Sequence, residues 1–229
     1  MFYYDIAYIL PALLLTMIAS IAVKTTYSRY SQIRSSSGIT ASQAARRILD
    51  ANGLSHIRIE SIPGDLTDHF DPQTGVIRLS DTVRNSTSIA AIGVAAHECG
   101  HAIQYAKAYT PIRIRAAIIP ATGVASRLAI PMVLLGTAFS FYARTLLAVA
   151  YAGIILFSIC VLFQLITLPV EFNASRRARE ILASEGILSG EEIGDARKVL
   201  NAAAMTYVAA LAASVLQLIR LIGYVNRRD

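Results

Sequence analysis

The sequence predicts a mostly α-helical membrane protein with a small antiparallel β-sheet, standing on three to four transmembrane helices. Three observations carry that expectation. The 229 residues are 55% hydrophobic and only 16% charged, with a mean hydropathy of +0.51, too apolar for an ordinary soluble domain. Several apolar runs reach bilayer-spanning length. Between them, one short stretch changes from helical periodicity to alternation. The net charge of +6 comes with no basic patch interleaved with aromatics and no nucleic-acid motif, so nucleic acid is excluded as a partner. The positive charge reads instead as a topology signal. Cys99 and Cys160 stand alone in a polar-motif helix and an apolar span, and imply no disulfide framework.

Taken in order, Phe2 to Val23 is the first apolar run, with Phe2, Tyr3 and Tyr4 placed as an interfacial aromatic belt. Lys24, Arg29 and Arg34 follow it, which puts the N-terminus outside and the next segment in the cytoplasm. The stretch lacks the basic start of a signal peptide, so it reads as a retained anchor. Thr40 to Asn52 predicts a helix. Thr40 and Gln43 form a capping box, Ala44, Ala45, Ile48 and Leu49 its apolar stripe, and Gly53 its stop. His56 to Glu60 and Val76 to Leu79 alternate and predict strands, with turn chemistry at Asp71 to Gly75 between them. His56 and His69 read as solvated bystanders.

The chain then presents His97-Glu98-Cys99-Gly100-His101 inside a proline-free helical run, Ser88 to Lys107, with Ser86 and Thr87 available as N-cap. A helix turns about 100° per residue, so His97 and His101 share one face and Glu98 sits beside it. Two imidazoles at that spacing can grip one zinc ion, and the adjacent carboxylate can reach a water on it. Cys99 points to the opposite side. Small neighbours Ala96, Gly100 and Ala102 let a metal and a peptide approach. A catalytic zinc needs a third protein ligand and an open position. The extension with a further glycine and histidine is absent, since Gln104 and Lys107 occupy those places. Glu171 is the candidate third ligand, in a helix expected to open just after Pro169. An acid favoured by a helix N-terminus would also explain a glutamate there.

Ala116 to Phe141 is apolar but interrupted by Pro120, Arg127 and Pro131, so its span is expected to start near Leu128 and leave Arg127 interfacial. Leu146 to Leu168 is a second span, joined to the first by a short turn. The two form a hairpin that returns the chain to the cytoplasm before Glu171. The organisation expected is therefore an N-terminal transmembrane helix over 1–24 and a cytoplasmic segment with sheet and motif helix over 25–115. A transmembrane hairpin over 116–168 follows, then the Glu171 helix and a C-terminal helix over 169–229. Arg176, Arg177 and Arg179 suit anionic lipid heads. Residues 206–225 are apolar enough to span, yet Gln217 and Arg220 lie within them and Arg227 and Arg228 follow. A fourth crossing would put those cations outside, against the positive-inside rule. The span and a helix packed on the catalytic part or lying along the inner leaflet are both open readings.

The blocks His97-Glu98-Cys99-Gly100-His101-Ala102-Ile103-Gln104 and Leu168-Pro169-Val170-Glu171-Phe172-Asn173-Ala174-Ser175 carry a resemblance. Their order across nearly the whole chain resembles the YugP-type, membrane-bound neutral zinc metallopeptidase family. The resemblance implies a gluzincin-like zinc protease core with His97, His101 and Glu171 as zinc ligands and Glu98 as general base. One departure stands out. The wider group of membrane zinc proteases has an aspartate where this chain has Ser175, which would orient a ligand histidine. Ser175, Asn173 and Asp195 are the candidates for that contact.

The function expected is a membrane-anchored zinc endopeptidase acting on protein or peptide substrates, membrane proteins among them, at the cytoplasmic face of the inner membrane. Glu98 would take the proton of a zinc-bound water whose pKa falls toward about 7. Tyr207 and Arg197 are candidates for the oxyanion contact. A strand edge of the sheet could pair with an extended peptide. The alternative is a non-catalytic membrane scaffold or regulator with a structural or vestigial zinc. That reading needs a fourth protein ligand, for which His69 or a displaced cysteine would have to serve.

Overall fold

The computed structural model describes residues 2–227, without the side chains of Phe2 and Tyr3. The expected aromatic belt at those two side chains and the cation Arg228 therefore lie outside the described residues. In chain order the elements are α1 (Phe2–Ser31), α2 (Ala41–Ala51), β1 (Arg58–Ile62), β2 (His69–Asp71) and β3 (Val76–Ser80). Then come α3 (Asp81–Arg84), α4 (Ile89–Ala106), α5 (Thr110–Phe139), a 3-10 turn at Arg144–Leu146, α6 (Leu147–Ser184) and α7 (Gly190–Asn226). The predominantly helical class with a small sheet is as expected. Among the described residues four helices, α1, α5, α6 and α7, are long and apolar enough to cross a membrane.

The chain divides into two compact units. One comprises residues 20–112 and 169–205. Its core is α2 laid on α4: Ala41, Ala44, Ala45, Ile48 and Leu49 pack with Ile92, Ala95, Ala96, Cys99 and Ile103, joined by Ile77 and Leu79 of β3 and by Leu182 and Leu200. Alanines recurring on both helices let the backbones come close. The start of α2 is fixed as its sequence requires. Gln43 N–H donates to Thr40 Oγ1 at 3.3 Å and Thr40 N–H to Gln43 Oε1 at 2.8 Å.

The sheet is mixed, which corrects the antiparallel expectation. Its order is β1-β3-β2, with β1 parallel and β2 antiparallel to β3. The turn residues act where expected: Asp71 Oδ1 accepts from Gln73 N–H at 2.9 Å, and Gly75 supplies the left-handed conformation at φ 64° that closes the β2–β3 hairpin. The extra strand, His69–Asp71, is too short to show a period. It occupies the place beside β3 that β1 would otherwise take, and β1 is left to pair in parallel on the other side. Alternation reveals which faces are buried and not which way a neighbour runs.

The other unit comprises residues 1–19, 113–168 and 206–229. Here α5 and α6 approach closely at glycines. A Cβ on Gly136 would lie 2.5 Å from Ala150 N, and one on Gly153 would lie 2.7 Å from Ala129 O. Small residues at a helix contact are how apolar helices pack where lipid is the solvent. Pro120 and Pro131 do not break α5, which runs from Thr110, and Arg127 lies exposed within it. α7 runs unbroken through residues 206–225. The cation that spoke against a crossing there is paired: Arg220 Nε donates to Asp5 Oδ1 at 2.6 Å, and the Arg227 guanidinium lies 3.9 Å from the centre of the Tyr4 ring. A paired charge costs far less in an apolar medium than a lone one.

Candidate metal centre

The motif helix α4 is capped by Ser88, whose hydroxyl accepts from Ala91 N–H at 3.2 Å, just after the expected Ser86 and Thr87. Its apolar residues bury, and one stripe of the same helix turns His97 and His101 toward α6. The two rings stand edge to face, 4.7 Å between centroids. Cys99 faces the other way, its S–H donating to Ala45 O at 3.6 Å, and complete burial raises its pKa so that it stays a thiol.

Glu171 arrives from α6. It does not open a helix after Pro169, as the sequence suggested, but sits well inside a helix that begins at Leu147. The helix-terminus explanation for a glutamate there is thereby removed, since that field fades within the first turn. Glu171 is 2% exposed, and its Oε2 lies 3.2 Å from His97 Nε2 and 3.6 Å from His101 Nε2. The three ligand atoms lie within 4.8 Å of one another, and among the described residues they form the one such group of histidine, cysteine and acidic side chains. Three donors around a tetrahedral zinc at 2.0–2.1 Å would be about 3.4 Å apart. The observed spacings fit that ion, and two neutral imidazoles with one carboxylate are a fitting donor set.

The two candidate ligand histidines are held from behind. Ser175, one turn beyond Glu171, places its Oγ 3.2 Å from His97 Nδ1. Of the three residues weighed for the missing aspartate's contact, Ser175 makes it. Asn173 touches Gln104 instead, and Asp195 pairs with Lys198 at 2.9 Å. His101 Nδ1 lies 3.0 Å from Gln104 Oε1, a contact the sequence reading did not anticipate although Gln104 is three residues on, on the same face of the helix. Burial alone would push the His101 imidazole down, but hydrogen bonding to Glu171 and the charges of Glu98 and Glu171 outweigh it and raise its pKa. The pocket is thus electrostatically set for a cation.

Glu98 is 8% exposed and stands beside the trio, its Oε2 accepting from Phe70 N–H at 2.9 Å. Phe70 is the middle residue of β2, the edge strand, and its ring meets Tyr105 of α4 edge to face at 5.8 Å. N–H and C=O of one residue in an antiparallel strand point to the same side, so the Phe70 carbonyl also faces outward from the sheet toward this site. His69 bonds Thr67 O through Nδ1 and Arg78 through Nε2, and does not join the trio. His56 and Arg197 are exposed, and Tyr207 belongs to the other unit.

α4 and α6 meet without space to spare: a Cβ on Gly100 would lie 2.7 Å from Ala174 O. Gly100→Ala is expected to force the helices apart and cost about 1–3 kcal/mol, more than alanine's better helix propensity returns. A lower Tm in detergent together with a lower zinc content would show it.

Residues 5–226 match the family model described as "Putative neutral zinc metallopeptidase". Over 223 residues, covering 95% of both chains, the sequence is 46% identical to "Putative membrane protease YugP" of Bacillus subtilis (strain 168). No solved structure matches. With the match running nearly from end to end, the chain belongs to the neutral zinc metallopeptidase family.

Proposed function

We propose that the protein is a zinc-dependent endopeptidase anchored in the cell membrane, hydrolysing peptide bonds at the cytoplasmic face with His97, His101 and Glu171 as metal ligands and Glu98 as general base. The observation that carries this reading is the convergence of three zinc-type donors from α4 and the interior of α6, with no fourth beside them among the described residues. A closed structural site would need a fourth protein ligand. The three-donor group leaves a coordination position for chemistry.

When bound, zinc would acidify a water and polarise the scissile carbonyl. The remaining steps belong to the chain. Phe70 N–H holds Glu98 Oε2, leaving Oε1 to take the water's proton and later hand it to the departing amine. Ser175 and Gln104 hold the two imidazoles with Nε2 facing Glu171, where the ion would be held. The Phe70 carbonyl on the edge of β2 would accept from an extended substrate's N–H, so that peptide and catalytic carboxylate are registered by the same residue. Substrates are then unfolded or extended protein segments, including those of membrane proteins. The cations following α1 support a cytoplasmic site and an outside N-terminus.

The test is metal dependence. Purified protein in detergent is expected to cleave an unstructured substrate such as casein, to lose that activity on dialysis against a chelator, and to regain it with stoichiometric zinc. A chelator-treated protein that cleaves at the original rate would refute the reading.

A further inference from the structure

We propose that Gln104 is a positioning residue that locks His101 into the tautomer able to bind metal; the metal itself rests on the reading above. Gln104 is completely buried, so each of its polar atoms needs a partner. Its Nε2 lies 2.8 Å from the Val170 carbonyl oxygen and 3.0 Å from Asn173 Oδ1. A backbone carbonyl can only accept, so that end of the amide must be the NH2. The other end, 3.0 Å from His101 Nδ1, is therefore the carbonyl oxygen. An oxygen there requires a proton on Nδ1, which leaves the Nε2 lone pair of a neutral His101 pointing toward Glu171.

The two ligand histidines are thus held unequally. Ser175 Oγ beside His97 Nδ1 can donate or accept, so the hydroxyl admits either tautomer of His97. Gln104 admits only one of His101. The amide is braced further out, because Arg177 Nε donates to the same Asn173 Oδ1 at 2.7 Å. A chain from Arg177 through Asn173 and Gln104 to His101 ties the interior of α6 to the second histidine of α4. It spans the same two helices that supply the ligands, so the ligand geometry and the helix pairing are set by one network.

The chain has four histidines, so side-chain nitrogen NMR of 15N-histidine-labelled, full-length protein in detergent, at a pH high enough to keep the rings neutral, can resolve the tautomers without metal. The wild type is expected to show His101 protonated on Nδ1. Gln104→Met, similar in shape and without the amide, is expected to give mixed tautomers at His101 and to weaken zinc binding about 10–100-fold in chelator competition. Gln104→Glu, which keeps an acceptor for Nδ1–H, is expected to restore the tautomer and part of the affinity. Asn173→Ala keeps the Val170 contact, so it is expected to retain the tautomer and lose about tenfold in affinity; it decides the matter where the Gln104 variants do not fold. Gln104→Met with an unchanged His101 tautomer and wild-type zinc affinity would overturn the proposal, as would Asn173→Ala binding zinc like wild type if that is the arm available. A wild type that binds no zinc would refute the metal reading and leave the tautomer measurement to judge Gln104 by itself.

Discussion

Glu98→Gln is expected to bind zinc within a few-fold of wild type while peptide hydrolysis falls roughly 10²–10⁴-fold, about 3–5 kcal/mol of lost transition-state stabilisation. The structure makes this substitution unusually diagnostic. Phe70 N–H donates to Glu98 Oε2, and a glutamine in that place must turn its carbonyl oxygen to the same N–H. Its NH2 is then presented to the reacting water, a donor where an acceptor is required. Because Glu98 is outside the group of ligand atoms, the metal site keeps its three donors. The paired measurements are zinc content by elemental analysis and initial rates on an unstructured protein. A variant that cleaves at the wild-type rate would place the base elsewhere. A half-buried carboxylate in the neighbourhood is Asp68, whose pKa burial raises and whose oxygens already accept from Ser80 N–H and hydroxyl at 2.8 and 3.0 Å. Asp68→Asn would then become the next variant to assay.

The two candidate histidine ligands were legible because they rest on a local rule. His97 and His101 are one helical turn apart whatever surrounds them, and spacing alone put them on one face. Glu171 needed more. Nothing local distinguishes it from an acid at a helix start, and only similarity to a family with a second motif singled it out. The helix around it was misread at Pro169, a residue that breaks helices in water. Here α6 continues through it, as membrane helices do when neighbouring groups satisfy the carbonyl that proline leaves without its donor. The sheet failed for a different reason. Three residues, His69 to Asp71, carry no period, and strand direction depends on how the chain travels between strands rather than on what the strands contain. Gln104 was visible three residues after His101 but was read only as the end of the family block and as the residue in the extended motif's glycine place. Its meaning lies in the Val170 carbonyl across the helix pair, a contact that no one-dimensional pattern encodes.

Glu171→Ala is expected to abolish stoichiometric zinc binding, and activity with it. The carboxylate is the one charged donor among three, it is 2% exposed, and its Oε2 stands within 3.6 Å of both imidazoles. Deleting it leaves two neutral nitrogens and an apolar gap, a set that fits neither a three-donor catalytic site nor a four-donor structural one. The loss is expected to exceed the about 10–100-fold that follows removal of an outer hydrogen-bond partner, so Ser175→Ala provides the graded control. Ser175→Ala takes away only the contact to His97 Nδ1 and is expected to retain zinc at saturating concentration. Glu171→Gln separates charge from shape: the amide fills the same space and offers one neutral oxygen, so its zinc affinity is expected to fall between the other two. Elemental analysis of the three variants, each checked for an unchanged helical signal by circular dichroism, reads the order directly. Full zinc retention in a folded Glu171→Ala protein would reduce the centre to a two-histidine helix and would take the peptidase assignment of these residues down with it.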